Sequence, residues 1–276
     1  MRKLLLLLAV AGTAFYASAQ TLPKPSPGAE VEQQVGATEV EIEYSRPGVK
    51  DRVIFGELVP FDKLWRFGAN SATTITTDHS LFFEGKELPA GTYSVFAIPG
   101  KEAWKIMFNS EVDASAESYS DKKTVLTVAA KVSENSFTES FFVGFDNIKD
   151  ESASIIVLWE KTKVELPFTV KTRDNSMKNI DEAIKKGEDL ENVYYNSANY
   201  YYGTIKEYKG ALNFIDQSLK LGENYRSLFL KGRILFEIGQ KNEAITYANK
   251  ALKFAEKEEA IGYQNFIKGT LEKWSK

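Results

Sequence analysis

The first half of the chain alternates. Glu39, Glu41 and Glu43 fall on one side of a period of two, and Val40, Ile42 and Tyr44 fall on the other. That spacing predicts a strand with one face in a core and one acidic face in water. Further short runs follow. Residues 72–78 are threonine-rich around Ile75, residues 81–83 are apolar and residues 92–98 alternate again. Trp104, Ile106 and Phe108 share a face, and residues 124–132, 137–145, 154–159 and 164–170 read as strands in turn. Turn residues divide them: Arg46, Pro47 and Gly48; Gly85 and Lys86; Pro89, Ala90 and Gly91; Pro99 and Gly100. Many short strands at this spacing predict a β-sandwich or barrel. No helical period interrupts them, which argues against a βαβ sheet.

Near Thr172 the period changes. Arg173, Asp174, Asn175 and Ser176 form a polar joint with N-cap candidates, and the rest of the chain reads as helix. Two segments match at an offset of 33: Ala211 with Ala244, Phe214 with Tyr247, Ser218 with Ala251, Leu219 with Leu252. With Gly232, these small residues resemble the tetratricopeptide repeat, in which they let paired helices approach closely. Leu228, Lys231 and Glu256 depart from that pattern. The expected fold class is a mainly β N-terminal sandwich plus an all-α, repeat-like C-terminal domain. The expected divisions are residues 1–19, 20–30 (an extended lead-in with Pro23, Pro25 and Pro27), 31–172 and 173–276.

The N-terminus changes the expected compartment. A basic Arg2 and Lys3, an apolar run and a small-residue site at Ala17, Ser18 and Ala19 predict a signal peptide, with cleavage after Ala19. The chain has no cysteine, so neither lipid attachment at a cleavage-site cysteine nor a disulfide framework is available. The expectation is an exported protein, periplasmic or secreted, with no membrane span after cleavage. A net charge of −3 argues against nucleic acid as a partner.

The most specific residues cluster before residue 110. Tyr44, Ser45, Arg46 and Pro47, then Arg52, then Ile54, Phe55 and Gly56 occur in series. Leu58, Val59, Pro60, Trp65, Arg66, Gly68, Ala69, Asn70, Thr73 and Thr74 follow, and then Gly85, Lys86, residues 88–93, Trp104 and Asn109. In this order they resemble an exported bacterial family known as domain of unknown function 2911. The resemblance covers about residues 25–170 and implies a β-domain and export. It brings no activity, substrate or catalytic residue.

Candidate chemistry is sparse. Arg46, Arg52, Trp65, Arg66, Asn70 and Thr73 form the best ligand-binding group. Guanidinium, amide and hydroxyl groups can grip a carboxylate or phosphate, and Trp65 can stack on a sugar or aromatic ring. A structural reading stands beside it: Arg66 paired with Asp62 or Asp51, Asn70 closing its own turn, Trp65 in the core. His79 is the sole histidine, which leaves nothing for a multi-histidine metal site and a single residue for any triad. No carboxylate pair stands out by spacing. Asp146, Asn147, Asp150 and Glu151 lack the spacing of a calcium loop. No cofactor or metal is expected.

In the helical part Tyr194 and Tyr201, and Tyr195 and Tyr202, stand seven apart, which puts each pair on one helix side. They suit either partner binding or packing between helices. The expected function is a non-catalytic binding or interaction protein whose helical repeats meet a protein or peptide, with a small anionic or sugar ligand as a further possibility for the β-domain. The alternatives are an enzyme acting on envelope carbohydrate or peptide through carboxylates near Trp65 and Arg66, and a structural accessory protein.

Overall fold

The alternation at Glu39 to Tyr44 becomes strand β2 (Thr38–Ser45), whose apolar residues are buried and whose glutamates face outward. A computed structural model describes residues 23–112 and 114–276. The signal peptide read at residues 1–19 lies outside these described residues. The remaining strands are β1 (Gly28–Val35), β3 (Thr73–Thr77), β4 (Leu81–Phe83), β5 (Lys86–Leu88), β6 (Gly91–Ile98), β7 (Ala103–Asn109), β8 (Thr124–Lys149) and β9 (Ser152–Thr169). Strand β1 begins inside the expected lead-in, because Gly28, Ala29 and Glu30 already pair with Ser45, Tyr44 and Glu43.

Among the described residues the nine strands belong to one antiparallel sheet in the order β1-β2-β3-β6-β7-β8-β9-β4-β5. The sandwich is therefore a continuous sheet folded over its own core. Strands β8 and β9 are long enough to serve both halves. Four runs that read as separate strands are merged in them, with register shifts near Glu134, Thr138 and Asp146. Beyond β2 the chain bonds to the middle of β8: the Val49 N–H donates to the Glu139 carbonyl and the Phe141 N–H to the Pro47 carbonyl. Ile42, Val95, Ile106, Val143, Val157 and Leu166 surround an interior with only about 20 Å³ free. That is room for about one water molecule, so the centre is packed core and holds no ligand-sized cavity.

Helices follow from Thr172: α1 (Thr172–Lys186), α2 (Leu190–Tyr200), α3 (Tyr208–Leu221), α4 (Tyr225–Glu237), α5 (Lys241–Lys257) and α6 (Ile261–Trp274). Their ends carry local signals. Gly187 closes α1 in the left-handed region at φ 73°. The Asn224 side chain accepts from the Ser227 N–H at the start of α4. A π turn over Tyr201–Ile205 ends α2. Each helix packs on the next. The offset of 33 is visible in burial: Ala211 and Ala244 are both fully buried, as are Ser218 and Ala251. Gly232 lets α4 approach α5 closely, since an added Cβ would lie 3.0 Å from the Ala244 carbonyl oxygen.

Helix α1 is tied to the β-domain. Thr172 donates its hydroxyl to the Asp150 carbonyl, and the Asn175 amide donates to the Thr38 hydroxyl at 2.9 Å. Among the described residues no helix is long and apolar enough to cross a membrane.

Candidate functional site

Residues 46–72, between β2 and β3, wrap the end of the folded sheet. The apolar runs at residues 53–55 and 64–67 form only isolated bridges, Phe55 with Val59 and Trp65 with Ala97. The reason is backbone handedness. Lys50, Asp51, Asp62, Phe67 and Asn70 all have positive φ, so the segment bends repeatedly and cannot extend. The bends are held by hydrogen bonds. Trp65 exchanges two with Ala97, at 2.8 and 2.9 Å, and the Asp62 N–H donates to the Pro99 carbonyl. The Thr73 hydroxyl donates to the Phe67 carbonyl from inside the core.

This segment completes an aromatic cluster of Phe55, Trp65, Phe67, Trp104, Phe141 and Trp159. Trp65 and Trp159 stack with centroids 6.0 Å apart and planes 16° from parallel. Phe141 meets both edge-on, at 5.5 and 5.4 Å. Over this cluster opens a cleft of about 380 Å³. Its lining is Trp65 and Trp159, Leu58 and Val59, Pro25 and Ser26, Pro47 and Gly48, Gly68 and Ala69, and the cations Lys50, Arg52 and Arg66. Among the described residues no carboxylate lines it.

The six residues singled out from sequence divide here. Arg52, Trp65 and Arg66 line the cleft. The Arg52 guanidinium donates to the Val49 and Gly48 carbonyls at 3.0 and 2.6 Å, which fixes its position. Arg66 has no ion pair among the described residues, with Asp51 and Asp62 included. Its field reaches Glu117, whose carboxyl is lowered mainly by the Ser115 hydroxyl, then by its own N–H, and least by Arg66. Asn70 supports the wall: in a left-handed conformation, its amide donates to the Ser26 carbonyl at 3.0 Å and the Ser45 hydroxyl at 3.2 Å. Thr73 is wholly buried and lines the core. Arg46 donates to the Phe141 carbonyl at 3.1 Å and lies over the Phe142 ring, outside the cleft lining.

Lys50 and Trp159 were not singled out. Trp159 arrives from β9, far along the chain, and its role depends on strand pairing that no local pattern encodes. It is 2% exposed, and its indole N–H has no acceptor among the described residues. Buried donors are rarely left without a partner.

A second cluster lies on the helices. The four tyrosines split as the spacing of seven implies. Tyr194 and Tyr201 both pack on Phe214, at 6.4 and 5.0 Å between centroids. Tyr195 and Tyr202 sit beneath arginines of α4: Arg226 lies 5.6 Å from the Tyr195 ring, and Arg233 lies 4.7 Å from Tyr202 and 5.8 Å from Phe266. Tyr225 meets Tyr263 at 4.8 Å. Burial, and then Tyr263, push the Tyr195 hydroxyl above its ordinary range. One aromatic face thus runs across α2, α4 and α6. Neither arginine has an ion-pair partner among the described residues, whereas Lys231 on the same helix pairs with Asp216 at 2.7 Å.

Other candidates are accounted for locally. His79 is buried, with its Nδ1 2.9 Å from an Asp78 carboxylate oxygen but not aligned as a hydrogen bond. Glu30, Glu41 and Glu43 bring carboxylates within 4.8 Å of one another on the β1–β2 surface. Asp146 and Asn147 lie in β8 at its last register shift, ahead of the turn at Asp150 and Glu151, and the Asn147 amide donates to Glu165.

Fold and cleft define an antiparallel β-domain with an aromatic-floored, cation-lipped cleft, followed by a series of packed helices. The chain belongs to the family described as Protein of unknown function (DUF2911), which matches residues 26–168, just over half of its length. No curated protein and no solved structure matches the chain.

Proposed function

We propose that this is an exported, non-catalytic binding protein whose helices dock an acidic segment of a partner protein. The observation that carries the reading is the pair Arg226 and Arg233. Arg226 lies over one aromatic ring and Arg233 over two, and among the described residues neither has an ion-pair partner. An arginine stacked on a ring keeps its in-plane N–H donors free for a carboxylate. Tyr195, Tyr202, Tyr263 and the exposed Phe266 supply apolar surface beside those donors.

The repeat-like register of α3 and α5, with equal burial at positions 33 apart, supports a tetratricopeptide-like helical stack. Export rests on the basic, apolar and small-residue order of residues 1–19. Catalysis by carboxylates beside Trp65 and Arg66 has less support, because the cleft lining contains none.

Fluorescence anisotropy with a labelled glutamate-rich peptide tests the reading against its glutamine-for-glutamate counterpart. The acidic peptide binds more tightly, and added salt weakens it. Arg226→Ala and Arg233→Ala each weaken binding by about tenfold while the helical circular-dichroism signal stays unchanged. Equal binding of both peptides, or full binding by the double variant, rejects the reading.

A further inference from the structure

The β-domain cleft has the composition of a site for a particular class of small molecule, independently of the helical face. Its floor is the Trp65–Trp159 stack, flanked by Leu58 and Val59. Its charged groups are the cations Lys50, Arg52 and Arg66; among the described residues no carboxylate lines it, and that of Glu139, which accepts from the Lys50 N–H at 3.0 Å, lies outside the lining. Arg52 already spends donors on the Gly48 and Val49 carbonyls, whereas the fork of Arg66 has no ion pair among the described residues. A volume of about 380 Å³ lies within the size range of small-molecule sites.

We infer that the cleft binds a small ring-bearing carboxylate, its ring against Trp65 and its carboxylate on Arg66 and Lys50. Both halves of the ligand are needed. A planar or sugar ring matches the exposed aromatic surface of half-buried Trp65. A single carboxylate matches one guanidinium fork bidentately.

Titration of the purified protein, followed by tryptophan emission and calorimetry, tests this. Phenylacetate represents an aromatic source and glucuronate a sugar source. Glucose and benzyl alcohol supply rings without charge, acetate supplies charge without a ring, and inorganic phosphate supplies a different anion. At least one ring carboxylate shifts the emission and binds about tenfold or more tightly than acetate, glucose or benzyl alcohol. Whichever of the two binds identifies the source. Arg66→Ala weakens that binding by about tenfold or more. Arg66→Lys keeps the charge, loses the fork and still weakens it severalfold, with the melting temperature unchanged in both variants. Arg226→Ala, Arg233→Ala protein binds it normally, so this site and the helical face stand or fall separately. The inference is overturned if neither ring carboxylate binds, if acetate or phosphate binds as well as they do, or if Arg66→Ala leaves affinity unchanged.

Discussion

The Trp65 indole lies nearly parallel to that of Trp159, with centroids 6.0 Å apart, so a residue of the long loop is seated on a residue of the last strand. This contact joins the cleft to the core. Trp159 is 2% exposed and touches Phe55 and Phe141 as well, whereas Trp65 keeps one side in the cleft.

Truncating the two should therefore differ. Trp159→Ala leaves a cavity under the loop and costs about 4–5 kcal/mol. Trp65→Ala removes a half-buried ring and costs about 2–3 kcal/mol. Trp65→Phe retains much of the packing and costs about 1 kcal/mol. Urea denaturation with a constant m-value measures all three, and a Trp65→Ala cost equal to that of Trp159→Ala contradicts the half-buried placement.

Gly36 lies where the two parts of the chain meet. It turns the β1–β2 hairpin at φ 58°, and an added Cβ there would overlap the Thr172 hydroxyl and the Asp150 carbonyl. Gly187 has a similar φ of 73°, with nothing within 4 Å of an added Cβ. Gly187→Ala thus reports backbone strain alone, about 1 kcal/mol. Gly36→Ala adds the collision and costs about 2–3 kcal/mol. It also loosens the start of α1, seen as faster amide exchange in residues 172–176. Equal costs for the two substitutions would show that the hairpin and the helix start are not in contact.

The helix crossing at Gly232 makes a comparable case inside the second half. Its neighbours are backbone atoms, the Ala244 carbonyl oxygen at 3.0 Å and the Ala248 nitrogen at 3.3 Å, and these cannot rotate away. In an open helix position Gly→Ala stabilises by up to about 1 kcal/mol. At Gly232 the sign reverses, and Gly232→Val destabilises by about 2 kcal/mol or more. Gly269 has nothing within 4 Å, so Gly269→Ala raises the melting temperature instead. Thermal denaturation of these variants decides the point.

Strand positions and the change near Thr172 were legible because burial imposes a period on the side chains themselves. The tyrosine pairs were legible for the same reason: seven residues return to one helix side, and Tyr195 and Tyr202 do share a face. Apolar density at residues 53–55 and 64–67 resembles a strand but does not become one, because left-handed turns at Lys50, Asp62 and Phe67 are imposed by partners elsewhere. The cleft was half visible. Arg52, Trp65 and Arg66 lie close in sequence, but Trp159 reaches them through the β8–β9 pairing, and the arginines over the tyrosines come from a different helix.

The acidic face that alternation revealed has a consequence for pH. Glu30 stands opposite Glu43, and Glu32 opposite Glu41, in the β1–β2 register. Like charges placed so destabilise a sheet, yet β1 is the edge strand, and charge there discourages pairing with another chain. Glu41 is raised above its ordinary 4.5, first by desolvation, then by Glu30, Glu43 and Glu32. The folded state therefore binds this proton more tightly than the unfolded state, and stability falls as pH rises through the interval above 4.5. Above that interval the destabilisation is present. Glu41→Gln accordingly raises the melting temperature at neutral pH, and the gain shrinks with acidification and is gone below 4.5, where both states carry the proton. Removing Glu30, Glu32 and Glu41 together as glutamines extends the gain but exposes the edge, so light scattering on concentration rises. A triple variant that is no more stable than the native chain at neutral pH, or that shows no added scattering, would separate the charge pattern from edge protection.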